Sequence, residues 1–380
     1  MGNRSQGGWL ACLVLLGTCL NARAIELRHD GFHAFPGDNL QDAIELAGKN
    51  PTNKVVKVHS GTYRPRAKRQ ALIWLNRAHD GVKLEAVGEV TLSAANADLS
   101  SATHRTHPAV VNHVVYFGDG ISSNTLLRGF RITGANAYVT DKFLKQMEPD
   151  DSVPKNSFFL TDGGAIKIFG RSYPVLENLE IVDNYTTPCG GGISIQHQGF
   201  NTNEVVIRNC VFRNNRAQVT GAAVDLLEGS SARLINCLFV GNASNLGADV
   251  VARRSGERPF TNSGVLTVFQ KSRARVERCT FTGNRNGVDD LSGQGTYRYC
   301  IFYQNTVDVG QAGQRYELDL ALGGIVERCF INGRVLDPKN SISAEKNVLN
   351  AIDPGFTAEF VPGAAGYEKV GYRPVSHAAR

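Results

Sequence analysis

Six polar side chains recur at one position of a repeated apolar pattern: Lys167, Ser194, Asp225, Thr267, Asp289 and Asp319. Most sit in the middle of a short run such as Ile166-Lys167-Ile168, Ile193-Ser194-Ile195 or Val224-Asp225-Leu226. Successive side chains of a strand point to opposite faces, so the six are expected on an outward column, away from the core. Lys167 and Asp225 are two repeats apart, as are Asp225 and Asp289. That is roughly 10 Å on strands stacked about 4.8 Å apart. A solvated outer face is the simpler explanation of such a column. A groove that touches a long polymer is the sharper one.

The chemistry these residue types suit is removal of a weakly acidic proton beside a carboxylate. In a polyuronate that proton becomes removable once Ca²⁺ or Arg neutralises the sugar carboxylate, after which Lys, Arg, His or Tyr can act as base. Lys167, Arg171, Tyr173 and His197 are the base candidates, all within the dense stretch 162–200. Asp225, Asp289 and Asp290 supply hard oxygen atoms suited to Ca²⁺, the cofactor this chemistry expects. Arg253, Arg254 and Arg258 could grip a substrate carboxylate through paired N–H groups. Asp162-Gly163-Gly164 and Pro188-Cys189-Gly190-Gly191-Gly192 read more simply as crowded turns. His104, His107 and His113 lack a metal-finger spacing with cysteine and read as a polar loop.

Elements that could hold such a column are written in a second repeat. Asn209-Cys210-Val211-Phe212-Arg213-Asn214-Asn215 matches Asn236-Cys237-Leu238-Phe239-Val240-Gly241-Asn242. Cys279-Thr280-Phe281 and Cys300-Ile301-Phe302 follow, each with Asn three residues on, and Cys329-Phe330-Ile331 fits without it. Leu179 and Phe130 occupy the Cys position in earlier copies. Positions 130, 179, 210, 237, 279, 300 and 329 are separated by 49, 31, 27, 42, 21 and 29 residues. Helix-pair solenoids keep a steadier period, whereas a parallel β-coil keeps its strands and lets its turns swell. The expected fold is therefore all-β: a single-stranded, right-handed parallel β-helix. Cys and Phe two apart point inward, and the closing Asn of each copy is expected to bend the chain through left-handed backbone and to bond the next copy's Asn as a ladder. The repeated cysteines read as free, buried thiols, with Cys189 outside their ladder.

The ends need covers. Asp38-Asn39-Leu40-Gln41 resembles a capping box, and Leu40, Ala43, Ile44 and Ala47 share one helical face, so a short helix is expected over the N-terminal end. The predicted organisation is a signal peptide at 1–24, a first region at 25–60, the β-helix at 61–334 and an irregular C-terminal cap or tail at 335–380. Insertions are expected near 137–160 and 246–262. The signal reading rests on Arg4, the apolar run Trp9 to Leu20, and Ala22-Arg23-Ala24. It places the protein outside the cytoplasm: secreted, periplasmic or at the cell surface. No other apolar run is long enough to cross a bilayer. A net charge of +6 over 380 residues, with no basic run, gives no reason to expect nucleic acid as a partner. A monomer is the expected unit.

With Asn39-Leu40-Gln41-Asp42-Ala43-Ile44 and Gly61-Thr62-Tyr63 at its start, the chain resembles secreted proteins of the pectin-lyase-like superfamily. Gly163-Gly164-Ala165-Ile166 and the Phe-x-x-Asn copies at 212–215, 239–242, 281–284 and 302–305 are similar to β-helix repeats of that group. The resemblance covers about residues 36–335. It implies the fold, and polysaccharide as the class of partner, without choosing among lyases, hydrolases, epimerases and non-catalytic binding proteins. Asp289-Asp290 matches the first polygalacturonase motif, but the Gly-His-Gly and Arg-Ile-Lys motifs are missing, as is the Trp-Ile-Asp-His strand of pectate lyases. The leading expectation is action on an acidic polysaccharide by β-elimination. The alternative is a non-catalytic carbohydrate-binding or cell-surface structural β-helix.

Overall fold

The computed structural model describes residues 25–65, 71–94, 113–137, 162–186, 189–217, 219–244, 263–306 and 315–349. Their strands stack into three sheets of eighteen, nine and three members, here sheets 1, 2 and 3. The leading hairpin, Glu26–Arg28 with Gly31–Ala34, is antiparallel. Every other strand-to-strand pairing described is parallel, including those that join one turn of the coil to the next.

The register reproduces both sequence repeats. In sheet 2 the successive partners are Ile166, Ile193, Val224, Leu266, Val288 and Leu318. In sheet 1 they are Arg131, Glu180, Val211, Leu238, Thr280, Ile301 and Phe330. The preceding residues, Phe130, Leu179 and the five cysteines from Cys210 to Cys329, therefore stand one above the next. The molecule is a right-handed parallel β-helix.

Its interior follows from that stacking. Phe212, Phe239, Phe281 and Phe302 stack face to face with ring centroids 4.7, 4.3 and 5.1 Å apart. Side chains that repeat in register on parallel strands land at the strand spacing, which is also close to ring-stacking distance. Cys210, Cys237, Cys279, Cys300 and Cys329 are buried and unpaired, as is Cys189. They fill space as small apolar groups.

The ladder of closing asparagines is complete. Nδ2 of Asn184, Asn215, Asn242 and Asn284 donates to Oδ1 of the next member at 3.0, 3.0, 3.0 and 2.7 Å. Each also donates to a backbone carbonyl, and the same Oδ1 atoms accept the backbone N–H of the preceding Asn. Asn305 ends the series by donating its backbone N–H and Nδ2 to the Glu317 carboxylate. Burial pushes Glu317 up to about 7, against the pull of those two donors. One expectation changes here. The ladder asparagines are not left-handed; the residue before each carries the positive φ, as at Asp183, Asn214, Gly241, Gly283 and Gln304. The bend must precede the Asn so that its side chain can turn inward.

A second left-handed column was missed in the sequence. Gly129, Asn178, Asn209, Asn236, Arg278, Tyr299 and Arg328 have φ between +53° and +87° and form one corner inside sheet 1. Asn is well suited to that backbone, and the later copies place Arg and Tyr there at a steric cost.

Helix α1 (Leu40–Lys49) covers the N-terminal end and buries Leu40, Ala43, Ile44 and Ala47 as predicted. Asn39 caps it by accepting from the Gln41 backbone N–H. Gln41 does not close a capping box; its amide instead bonds both backbone groups of Trp74 in the next rung. Gly61-Thr62-Tyr63 closes strand Val55–Tyr63. At the other end, Val335–Leu336 and Val348–Leu349 add strands to sheets 2 and 1 within the region expected to be irregular. The two predicted insertions, with Arg253, Arg254 and Arg258, lie outside the described residues except at their margins.

Candidate functional site

Sheet 2 holds Lys167, Ser194, Asp225, Thr267, Asp289 and Asp319 in one register column. The expected order and spacing are both present. The expected exposure is not: Lys167 is 2%, Asp225 0% and Asp289 3% exposed.

Part of the reason lies in the turns that lead into the strands. Gly163, Gly190 and Gly221 have φ of +79°, +67° and +57°, and they curl the preceding residues back over the column. A Cβ on Gly190 would stand 2.8 Å from Ser194 Cβ, and one on Gly221 would stand 2.5 Å from Asp225 Cβ. Only glycine fits. The residues before them, Asp162, Cys189 and Thr220, are set rung over rung: the Gly163 and Gly190 N–H groups donate to the Cys189 and Thr220 carbonyls at 2.9 and 3.0 Å. The Gly-rich motifs are thus crowded turns that also bring a second row of side chains to the column.

At its upper end Lys167 Nζ donates to both Asp162 oxygens at 2.8 and 2.7 Å, and to Gln196 Oε1 at 2.9 Å. Ser194 Oγ donates to Asp162 Oδ2 at 2.8 Å. Burial raises the Asp162 carboxyl, and the Lys167 charge opposes that rise. This cluster is closed: each charge has its partner.

The middle is different. Neither carboxyl oxygen of Asp225 has a hydrogen-bond partner, and Thr220 Oγ1 has none. Thr220 and Cys189 lie close enough to favour the ionised form, but no hydrogen bond of good geometry reaches the carboxyl. Burial, reinforced by the Asp162 charge, pushes Asp225 up to about 8. It is protonated at neutral pH. The Cys189 thiol, raised well above its usual range by burial, stays a thiol.

Lower down, Asp289 is raised by burial and then by Asp319 and Asp290. Asp290 belongs to the opposite face of its strand. It accepts from Ser292 N–H and Oγ at 2.8 and 2.7 Å and from the Tyr297 hydroxyl at 2.8 Å. The three carboxyl groups proposed for Ca²⁺ therefore do not converge. Among the described residues no group of three His, Cys, Asp or Glu side chains is placed to hold a metal ion, whereas Ca²⁺ takes six to eight oxygen ligands.

The remaining base candidates gather at the far end of the same strands. His197 is fully buried; its Nδ1 accepts from the Ser231 N–H at 3.2 Å, so Nε2–H donates to the Ser172 carbonyl at 3.0 Å. Burial depresses it to about 4, and it is neutral. Tyr173 packs edge-on against it with centroids 5.0 Å apart, and the Tyr173 hydroxyl donates to the Phe200 carbonyl. Arg171 is exposed, its guanidinium 4.1 Å from the Phe200 ring centroid. Lys167 thus stands in one group and Arg171, Tyr173 and His197 in another. Reading the sequence passed over Phe200, an exposed aromatic, and the Thr220 contact to Asp225. His113 is buried, against expectation, and bonds the Gly163 carbonyl at 2.7 Å, while His104 and His107 lie outside the described residues.

Residues 112–257 match the family described as the right-handed β-helix region. No curated protein and no solved structure matches the chain. Among the described residues no helix is long and apolar enough to cross a membrane.

Proposed function

Taking the right-handed β-helix as premise, we propose that the protein acts on an acidic polysaccharide laid along sheet 2, by β-elimination outside the cytoplasm. The observation that carries this reading is Asp225, buried with both carboxyl oxygens unbonded. Leaving a polar group so placed costs about 1–3 kcal/mol. Strongly perturbed acids in a row are what acid–base sites contain. In this reading Asp225, protonated at neutral pH, gives its proton to the departing glycosidic oxygen. Lys167, whose ammonium leaves one proton on Asp162 as substrate enters and parts the pair, takes as a neutral amine the proton beside the sugar carboxylate.

The test is incubation of purified protein with a panel of uronate polymers, with and without chelator, following the ultraviolet absorbance of unsaturated products. Product that disappears in Asp225→Asn and Lys167→Ala supports the reading. Product formation unchanged in both folded variants overturns it.

A second reading, a non-catalytic carbohydrate-binding protein, has its own support. Lys167, Tyr173 and His197 are all buried and bonded within the protein, and Phe200 offers an exposed aromatic surface. Polymer binding without any product would favour it.

A further inference from the structure

Where sheet 2 passes into sheet 1, the length of the crossing varies from rung to rung. Phe117, Ile168 and Ile195 are register partners, as are Leu126, Val175 and Val206. The chain takes seven residues from Ile168 to Val175, against nine in the rung before and eleven in the rung after. A short crossing between two long ones leaves a recess. Its volume is about 400 Å³, and Ile121, Ser122, Ser123, Tyr173, Asn203 and Glu204 line it. That is within the usual size of a small-molecule site, and an apolar floor under a hydroxyl and amide rim suits a sugar ring.

Arg171 belongs to the same corner. Its carbonyl accepts from the N–H groups of Gly120 and Ile121, at 2.9 and 3.2 Å, along one wall of the recess. Its guanidinium is exposed and rests on the Phe200 ring, and the nearby Asp119 carboxylate, which accepts the Arg171 backbone N–H, is paired with Arg77. Phe200 in turn is tied to the floor, since its carbonyl accepts the Tyr173 hydroxyl. The one carboxylate in the lining, Glu204, is countered by Arg275 at 3.0 Å. The recess therefore has an apolar floor, a polar rim and a balanced acid, with the Arg171 guanidinium on Phe200 standing beside its lining.

We propose that this recess is a subsite for a single uronate unit, with Arg171 holding the sugar carboxylate and Phe200 fixing the guanidinium beneath it. It rests on the reading of an anionic polysaccharide as substrate, and it makes Arg171 a specificity-determining residue instead of a base. The experiment is calorimetric titration of the full chain with a uronate trisaccharide and with the same trisaccharide after reduction of its carboxylates. Wild type, Arg171→Gln and Phe200→Ala are compared, with product formation from uronate polymer measured on the same samples. The expected result is a loss of about tenfold in affinity for the uronate sugar in Arg171→Gln, a smaller loss in Phe200→Ala, and no change for the reduced sugar. Equal affinity of wild type and Arg171→Gln for the uronate sugar overturns the subsite, even where product formation keeps the proposed activity standing. No binding by wild type overturns it as well. Selective loss in Arg171→Gln without product from any polymer keeps the subsite and removes only the elimination chemistry.

Discussion

Two buried polar columns run through this coil, and they obey different rules. The asparagine ladder satisfies its amides rung by rung and ends on a carboxylate that takes its last two donors. The sheet 2 column starts equally well, with Lys167 held by Asp162, and then leaves Asp225 without a single hydrogen bond. A buried polar group that is fully bonded explains itself by the fold. One that is not bonded points to something the fold alone does not use. Polarity in an interior is therefore not the mark of a site; unsatisfied polarity is.

The largest test of that contrast is on the structural side. Phe239→Ala, which opens the ring stack at its centre, should cost about 3–5 kcal/mol in denaturant unfolding. Asn242→Ala should cost about 3 kcal/mol or more, because the backbone N–H and the amide of Asn215 both lose their acceptor. If Asn242→Ala unfolds like wild type, the ladder is an ornament and the comparison fails.

Next in size is a pH effect. Asp225 at about 8 and Glu317 at about 7 bind protons more tightly folded than unfolded. Their contribution is fully present at acid pH and is lost as pH rises through the folded values. Stability should fall from about pH 4 upward, to about 7 for Glu317 and about 8 for Asp225, by up to about 1.4 kcal/mol per pH unit for each group, and level off above those values. His197, depressed to about 4, acts in the opposite sense: it favours the fold above about 6.5, and that advantage is lost as pH falls towards 4. Thermal unfolding followed from pH 5 to 9 checks the sign, and Asp225→Asn should flatten the falling limb below about pH 8. A limb equally steep in Asp225→Asn would show that Asp225 is not the proton holder.

At fixed pH the two columns should separate again. Asp225→Asn at pH 7 should be more stable than wild type by about 1 kcal/mol or more, since the amide resembles the protonated acid it replaces and has no proton to hold against release in the unfolded chain. Any uronate-cleaving activity should drop by about 10² or more. Smallest of all, Lys271→Gln removes an exposed pair with Glu228 and should change unfolding by less than about 1 kcal/mol.

Much of this architecture was readable in advance because a parallel coil copies a local pattern vertically. Cys210, Cys237 and Cys279 share a flanking Phe and Asn, and the register sets them over one another as the repeat implies. The column at Lys167, Asp225 and Asp289 was readable for the same reason. The corner at Asn178, Asn209 and Asn236 carried a signal, Asn before Leu or Cys, that went unread because the ladder asparagines drew the same explanation. Burial of the column was not readable, since a strand pattern gives the side on which a residue lies and not what lies over it. Nor was the recess beside Tyr173, which depends on the difference between three neighbouring turns.

Residue types at fixed offsets determined the strands, their vertical order and the inward faces, because alternation and stacking act over a few residues and one rung. Three-dimensional closure alone decided which polar groups found partners. Asp162 reaches Lys167 and not Asp225, and Asp290 turns towards Tyr297 and away from Asp289. Those choices depend on where a returning turn sets its side chain, a distance that no single rung contains.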